Sequence, residues 1–555
     1  FGLNALFANT TASYNSAFGY AALTDNTTGA QNTAFGQNAL YANTTGNYNT
    51  AVGQAALKDS NGNNNTAVGM KALFENSTGN NNSAVGYNAS LNITTGYSNT
   101  SLGAQALYTV TTAAHNVAIG NDALKLSTAD NNVAVGSLAL AANTSGPANV
   151  AMGYNAMNDN TTGGYNTAVG YASLDANTTG QENTALGQAA LTASTTASYN
   201  TAVGSQSCAN MTGQNNTAVG RASLYTCTTG TQNVAVGGDC LFDLTTADAN
   251  TALGHNAGYN VTTGGYNVLL GYYAGVNITT GIKNVAVGQN TLRTCTTNSY
   301  NTALGDQALY DYTGSETVAI GHACAYELTT GVQVTAVGTS ALRNSTTGDY
   351  NTAVGYYAMG TGVVTGGYNT AIGYRAGQDI TTGAYNTHVG HAAGANVTTA
   401  STTTCIGYNA ATSLTTGSEN VIIGNSTCTN SGSTTFNTNV VIGADAVQGQ
   451  AFTGAENVVI GRQAGYHMST GTGNIVIGKN CGDAFGFTGN NNVLIGQGSD
   501  PDTAARAGAV VLGYEMGTAA ADNSFRVMGS GGVFNTGNTT TWNQTSDRRI
   551  KKDIV

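Results

Sequence analysis

The histidines His388 and His391, in the run His388-Val389-Gly390-His391, come nearest in this chain to metal-ligand spacing. His388 is a weak metal candidate. It could serve only if copies from three chains met at one ion, and no third ligand stands at the spacing a tetrahedral centre needs. His391 reads as a surface residue, like His255 and His322, which also directly follow a glycine. Carboxylates such as Asp25, Asp159, Asp349 and Glu456 stand alone, without the recurring pair that cleavage of a glycan requires. Eight cysteines are too few and too scattered for a disulfide framework; Cys208, Cys240, Cys324, Cys428 and Cys481 occupy places where Ala or Leu stands elsewhere. They read as small buried hydrophobes. Tyrosines recur after a glycine, as at Tyr20, Tyr154 and Tyr374, and before an asparagine, as at Tyr48, Tyr165 and Tyr266. Such rows could bind sugars, but packing between neighbouring repeats is the expected role. No cofactor is expected, and no metabolic reaction.

The elements that would position these residues follow from one phrase. Asn-Thr-Ala-Val-Gly recurs along nearly all 555 residues, and its glycine can be followed through Gly19, Gly36, Gly53 and Gly69 to Gly478, Gly496 and Gly513, roughly 17 residues apart. Each repeat holds a short strand such as Asn132-Val133-Ala134-Val135-Gly136, an apolar step such as Ala39-Leu40, and a corner such as Asn43-Thr44-Thr45-Gly46. The corner glycine is expected to take a positive φ. Helical repeats are excluded by the short period and the glycine and threonine content. A unit this short cannot bury its apolar face alone, so successive units must stack as parallel β rungs. The fold class is therefore all-β, a parallel β-solenoid or β-roll of about 17-residue repeats. Stacked asparagines, one per rung, are expected to hydrogen-bond in ladders.

Composition bounds the rest. Charged residues make up 8% and hydrophobic ones 41%, so the chain can bury a core and is not of the disordered type. The net charge of -11 comes without a basic stripe, which argues against nucleic acid as a partner. The sequence holds no run of about 18 apolar residues, so no membrane insertion is expected. Phe1-Gly2-Leu3 already lies in phase with the repeats, and the natural chain is expected to begin further upstream.

Alternation along a strand splits its side chains onto two faces. Val133 and Val135 share one face, which suits the coil interior; Ala134 and Gly136 share the other. The second face enlarges late in the chain, to Leu269, Ile422, Val441, Val459, Val476 and Leu494, and is expected to pack against sister chains in a parallel homotrimer; the alternative is a single-chain β-helix whose own opposite wall covers that face.

The repeat Asn116-Val117-Ala118-Ile119-Gly120 resembles those of the head domains of trimeric autotransporter adhesins, which form left-handed parallel β-rolls. After Gly513 the repeat fails, and Ser546-Asp547-Arg548-Arg549-Ile550-Lys551-Lys552-Asp553-Ile554 resembles the opening of the endosialidase-type intramolecular chaperone at the C-terminus of phage tailspikes and tail fibres. Members fold as trimers, promote trimerisation of the fibre before them and then cut themselves off. The resemblance implies a cleavage dyad of Ser546 and Lys551, with Asp547 next to the cut: a lysine of lowered pKa takes the serine proton and the serine attacks the adjacent carbonyl. The match covers only the last ten or so residues. The implied domains are a shaft over 1–513, a connecting segment over 514–545 and the start of the chaperone over 546–555. The implied function is structural: the shaft of a phage tail fibre used in host attachment, with other tail or fibre proteins and a host surface glycan or protein receptor as partners. Its place would be the virion or an extracellular surface. A bacterial surface trimeric adhesin or extracellular filament is the alternative, and an ice-binding solenoid a third class prompted by the threonine rows.

Overall fold

The computed structural model describes residues 1–430, 432–483, 486–500 and 503–514, and beyond them the strands Phe525–Val527, Val533–Asn535 and Asn543–Gln544. The chain divides into two units, Phe1–Gly281 and Ile282–Val555. Each is a parallel β-solenoid, and the described residues contain no helix.

In the first unit sixteen three-residue strands, from Ser16–Phe18 to Val268–Leu270, pair in parallel. The register follows the repeat one residue to one, so that Ala34 lies between Ala17 and Ala51. The second unit repeats the arrangement from Val285–Val287 to Val510–Leu512. Val510–Leu512 then pairs in parallel with Phe525–Val527, and from there the pairing turns antiparallel through Val533–Asn535 to Asn543–Gln544.

Each coil closes through left-handed residues. In one rung these are Asn38 (φ 57°), Leu40 (φ 52°) and Tyr48 (φ 59°), at a cost of about 1 kcal/mol each for side chains other than glycine. The coil tolerates them because their backbones bond along the axis: Asn38 N–H donates to Tyr20 O at 2.9 Å and Leu40 N–H to Ala56 O at 3.0 Å. The strand-end Gly36 has φ 145°, and a Cβ there would lie 2.3 Å from Gly53 O. The corner glycine departs from expectation. Gly46 does not adopt a positive φ; it is small because a Cβ would meet Gly62 O at 2.5 Å and its own corner Asn43 Oδ1 at 2.4 Å. Close stacking of coils, not backbone handedness, selects it, and alanine fills the same place at Ala113 and Ala197.

The two strand faces are the reverse of the expected assignment. The middle residue points into the coil: Ala134 is fully buried, while Val133 and Val135 face outward and stay partly exposed. The coil is too thin for two rows of large side chains, and the leucine that in many repeats follows the glycine by four residues already fills it from the opposite wall, as Leu140 does. Enlarged middle residues are likewise absorbed inside the chain. Where Leu269 replaces alanine, the opposing positions are Gly258 and Gly275, whose added Cβ atoms would lie 2.6 and 2.7 Å from the Leu269 methyls. Val476 faces Gly482 in the same way. The late enlargement therefore reflects a volume exchange within one coil and not contact with sister chains.

Candidate functional site

The asparagine that opens each strand is the most heavily bonded side chain of the repeat. Asn166 Oδ1 accepts the backbone N–H of Asn183 at 2.9 Å, its Nδ2 donates to Gly180 O at 2.9 Å, and its own N–H donates to Asn149 Oδ1 at 2.9 Å. One buried amide thus joins strand start, corner and the next rung, as the expected ladder requires. Threonines work similarly at the corner, where the hydroxyls of Thr144, Thr161 and Thr178 each donate to the next threonine carbonyl at 2.9 Å. The donors of these corner threonines are spent within the chain.

All eight cysteines are buried and none forms a disulfide, in agreement with their reading as small hydrophobes. Desolvation pushes the thiols up, to about 12 for Cys227, Cys240 and Cys324, so they are protonated and poor nucleophiles at neutral pH.

His388 occupies the middle position of its strand, fully buried in the interior of its own coil. That enclosure keeps it from an axis shared with other chains. Neither ring nitrogen has a hydrogen-bond partner of good geometry. Desolvation lowers its pKa from 6.5 to about 4, and the nearby backbone of Ala393 offsets only part of that. Its neighbours along the sheet are Ala371 and Cys405, and the described residues hold no cluster of three or more metal-ligating side chains. His391 is exposed, as expected.

Some of the aromatic residues form rows, while Tyr20, Tyr48, Tyr165 and Tyr266 are exposed outside them. Tyr356, Tyr374, His391 and Tyr408 stack at 5.5, 4.9 and 4.9 Å between ring centres, and Tyr350, Tyr368 and Tyr385 at 4.7 and 5.0 Å. Interplanar angles stay below 20°, so within a row each ring covers the face of the next. A sugar stacks on an open ring face, and these rows present edges and hydroxyls instead, which favours the packing role. Where the repeat shortens to 16 residues between Gly204 and Gly220, the corner loses one threonine and leaves a polar notch lined by Thr196, Thr212, Gln214 and Thr229. The Thr212 hydroxyl there is already bonded to Thr228 O at 2.9 Å.

Ser546, Asp547 and Lys551 lie outside the described residues.

The feature that the sequence reading assigned to the wrong side is the outward strand row, which includes Phe18, Leu102, Leu186 and Leu253. The signal for it was present: the third strand position is always apolar, whereas the first alternates freely between Thr, Ser and Val in the first unit. No protein-family model matches the chain, and no curated protein matches it.

Proposed function

We propose that this chain is a structural shaft: a phage tail fibre segment, assembled as a parallel homotrimer, that holds a host-binding element away from a virion. The observation that carries the reading is the unbroken parallel register of the rungs within each unit, with polar chemistry turned inward to bond coil to coil. Such an array resists extension along its axis. The motif match at Ser546, Asp547 and Lys551 supports maturation by a single self-cleavage and favours the phage over a bacterial surface adhesin. Tail proteins and a host surface glycan or protein receptor are the partners this reading calls for. Immunogold labelling with an antibody against the solenoid distinguishes the two settings. Label on phage tails is expected; label confined to the bacterial envelope would replace the phage reading with the adhesin.

A further inference from the structure

The outward strand row of the first unit is anomalous for a surface. From Phe18 and Phe35 through Leu102, Met152 and Leu186 to Leu253, the third position of all sixteen strands carries an apolar side chain, and none is buried by its own chain. Phe18 is 51% exposed, Leu102 47% and Leu253 52%. The first strand position also points outward and admits hydroxyls, as at Ser16, Thr33 and Thr184. Two outward rows of the same strands thus follow different rules, and water cannot be the neighbour that imposes the stricter one. Sixteen apolar side chains in one line, seven of them more than a third exposed and the other nine partly exposed, amount to on the order of 800 Å², the per-partner size of a standard interface. That exceeds what one patch of a monomer usually shows.

We infer that this row is the seam on which a second copy of this chain docks, in parallel and rung for rung. The inference rests on the reading of the chain as a self-assembling shaft and adds the face and the register. Two observations select a copy as the occupant. A partner touching the row along its length needs the same rung spacing, ~4.8 Å, and a second parallel stack of this sequence has it by construction. Identical copies also bring identical charges together, and neither the first nor the third position of any of these sixteen strands is charged. The row is graded as well, opening with Phe18 stacked on Phe35 at 5.0 Å and closing on Leu253 and Leu270. Parallel copies about a closed symmetry axis set like against like, while an antiparallel pair would set Phe18 against Leu270.

The test uses the full chain with Leu253→Cys, near one end of the row, under mild oxidation, alongside Thr246→Cys on the exposed corner and with light scattering on each. The eight native thiols are buried and stay silent. Expected is an oligomeric mass, with a disulfide between copies for Leu253→Cys and none for Thr246→Cys. An oligomer in which Leu253→Cys does not cross-link overturns the seam and its register but leaves the self-assembling shaft standing. A monomeric mass for the unsubstituted chain overturns both.

Discussion

His388 fits inside its coil only because residue 394 is glycine: a Cβ on Gly394 would lie 1.6 Å from His388 Nδ1. The pair is the polar counterpart of Leu269 with Gly275, and it shows that the coil interior holds a fixed volume that the two walls share out between them. Gly394→Ala is therefore expected to destabilise its rung by roughly 2 kcal/mol or more, since the imidazole has no room to retreat. The double variant His388→Ala/Gly394→Leu restores the usual alanine and leucine and is expected to recover that loss. Hydrogen exchange of amides in this coil measures both.

Acid should weaken the same coil. The folded-state pKa of His388, about 4, lies below its unfolded value of 6.5, so the unfolded chain takes up the proton first as pH falls. This contribution is constant above about pH 6.5, declines between 6.5 and 4, and is fully lost below, a change of about 3 kcal/mol. Amide exchange at pH 7 and pH 4 reads it, and His388→Ala should remove that part of the pH dependence.

The asparagine ladder makes a sharper prediction. Asn166→Ala strands the N–H of Asn183 in a dry interior and takes away one of the two amide donors of the Gly180 carbonyl, which keeps Asn177 Nδ2, at an expected cost of about 2 kcal/mol. Asn166→Asp keeps the acceptor for Asn183 but turns a carboxylate oxygen toward the Gly180 carbonyl, and should be no better tolerated at neutral pH. Local unfolding by hydrogen exchange would report both.

Thiol reactivity tests the burial of the cysteines. At pH 8 the folded chain should resist alkylation at all eight positions, and denaturant should release all of them, as counted by mass spectrometry. Rapid labelling of Cys240 in the folded chain would contradict its enclosure.

The motif at Ser546 predicts chain scission. In a chain extended through a complete chaperone domain of this type, the unsubstituted protein should cleave itself beside Ser546, and Ser546→Ala or Lys551→Ala should leave it full length on a denaturing gel.

The amino-acid sequence alone determined the period, the parallel stacking and the asparagine ladder, because each is a property of a short motif repeated at constant phase. Residues such as Ala34, Gly36 and Asn49 declare themselves within one repeat. What only the tertiary structure decided was which side of the strand is inside. Alternation separates Ala134 from Val133 and Val135 but carries no sign, and hydrophobicity alone points the valines inward. The sign comes from the opposite wall, where Leu140 fills a coil too narrow for both, and from Leu269 with Gly258, where the exchange runs the other way. Volume shared between residues that are not neighbours in the chain becomes visible only once the coil is closed.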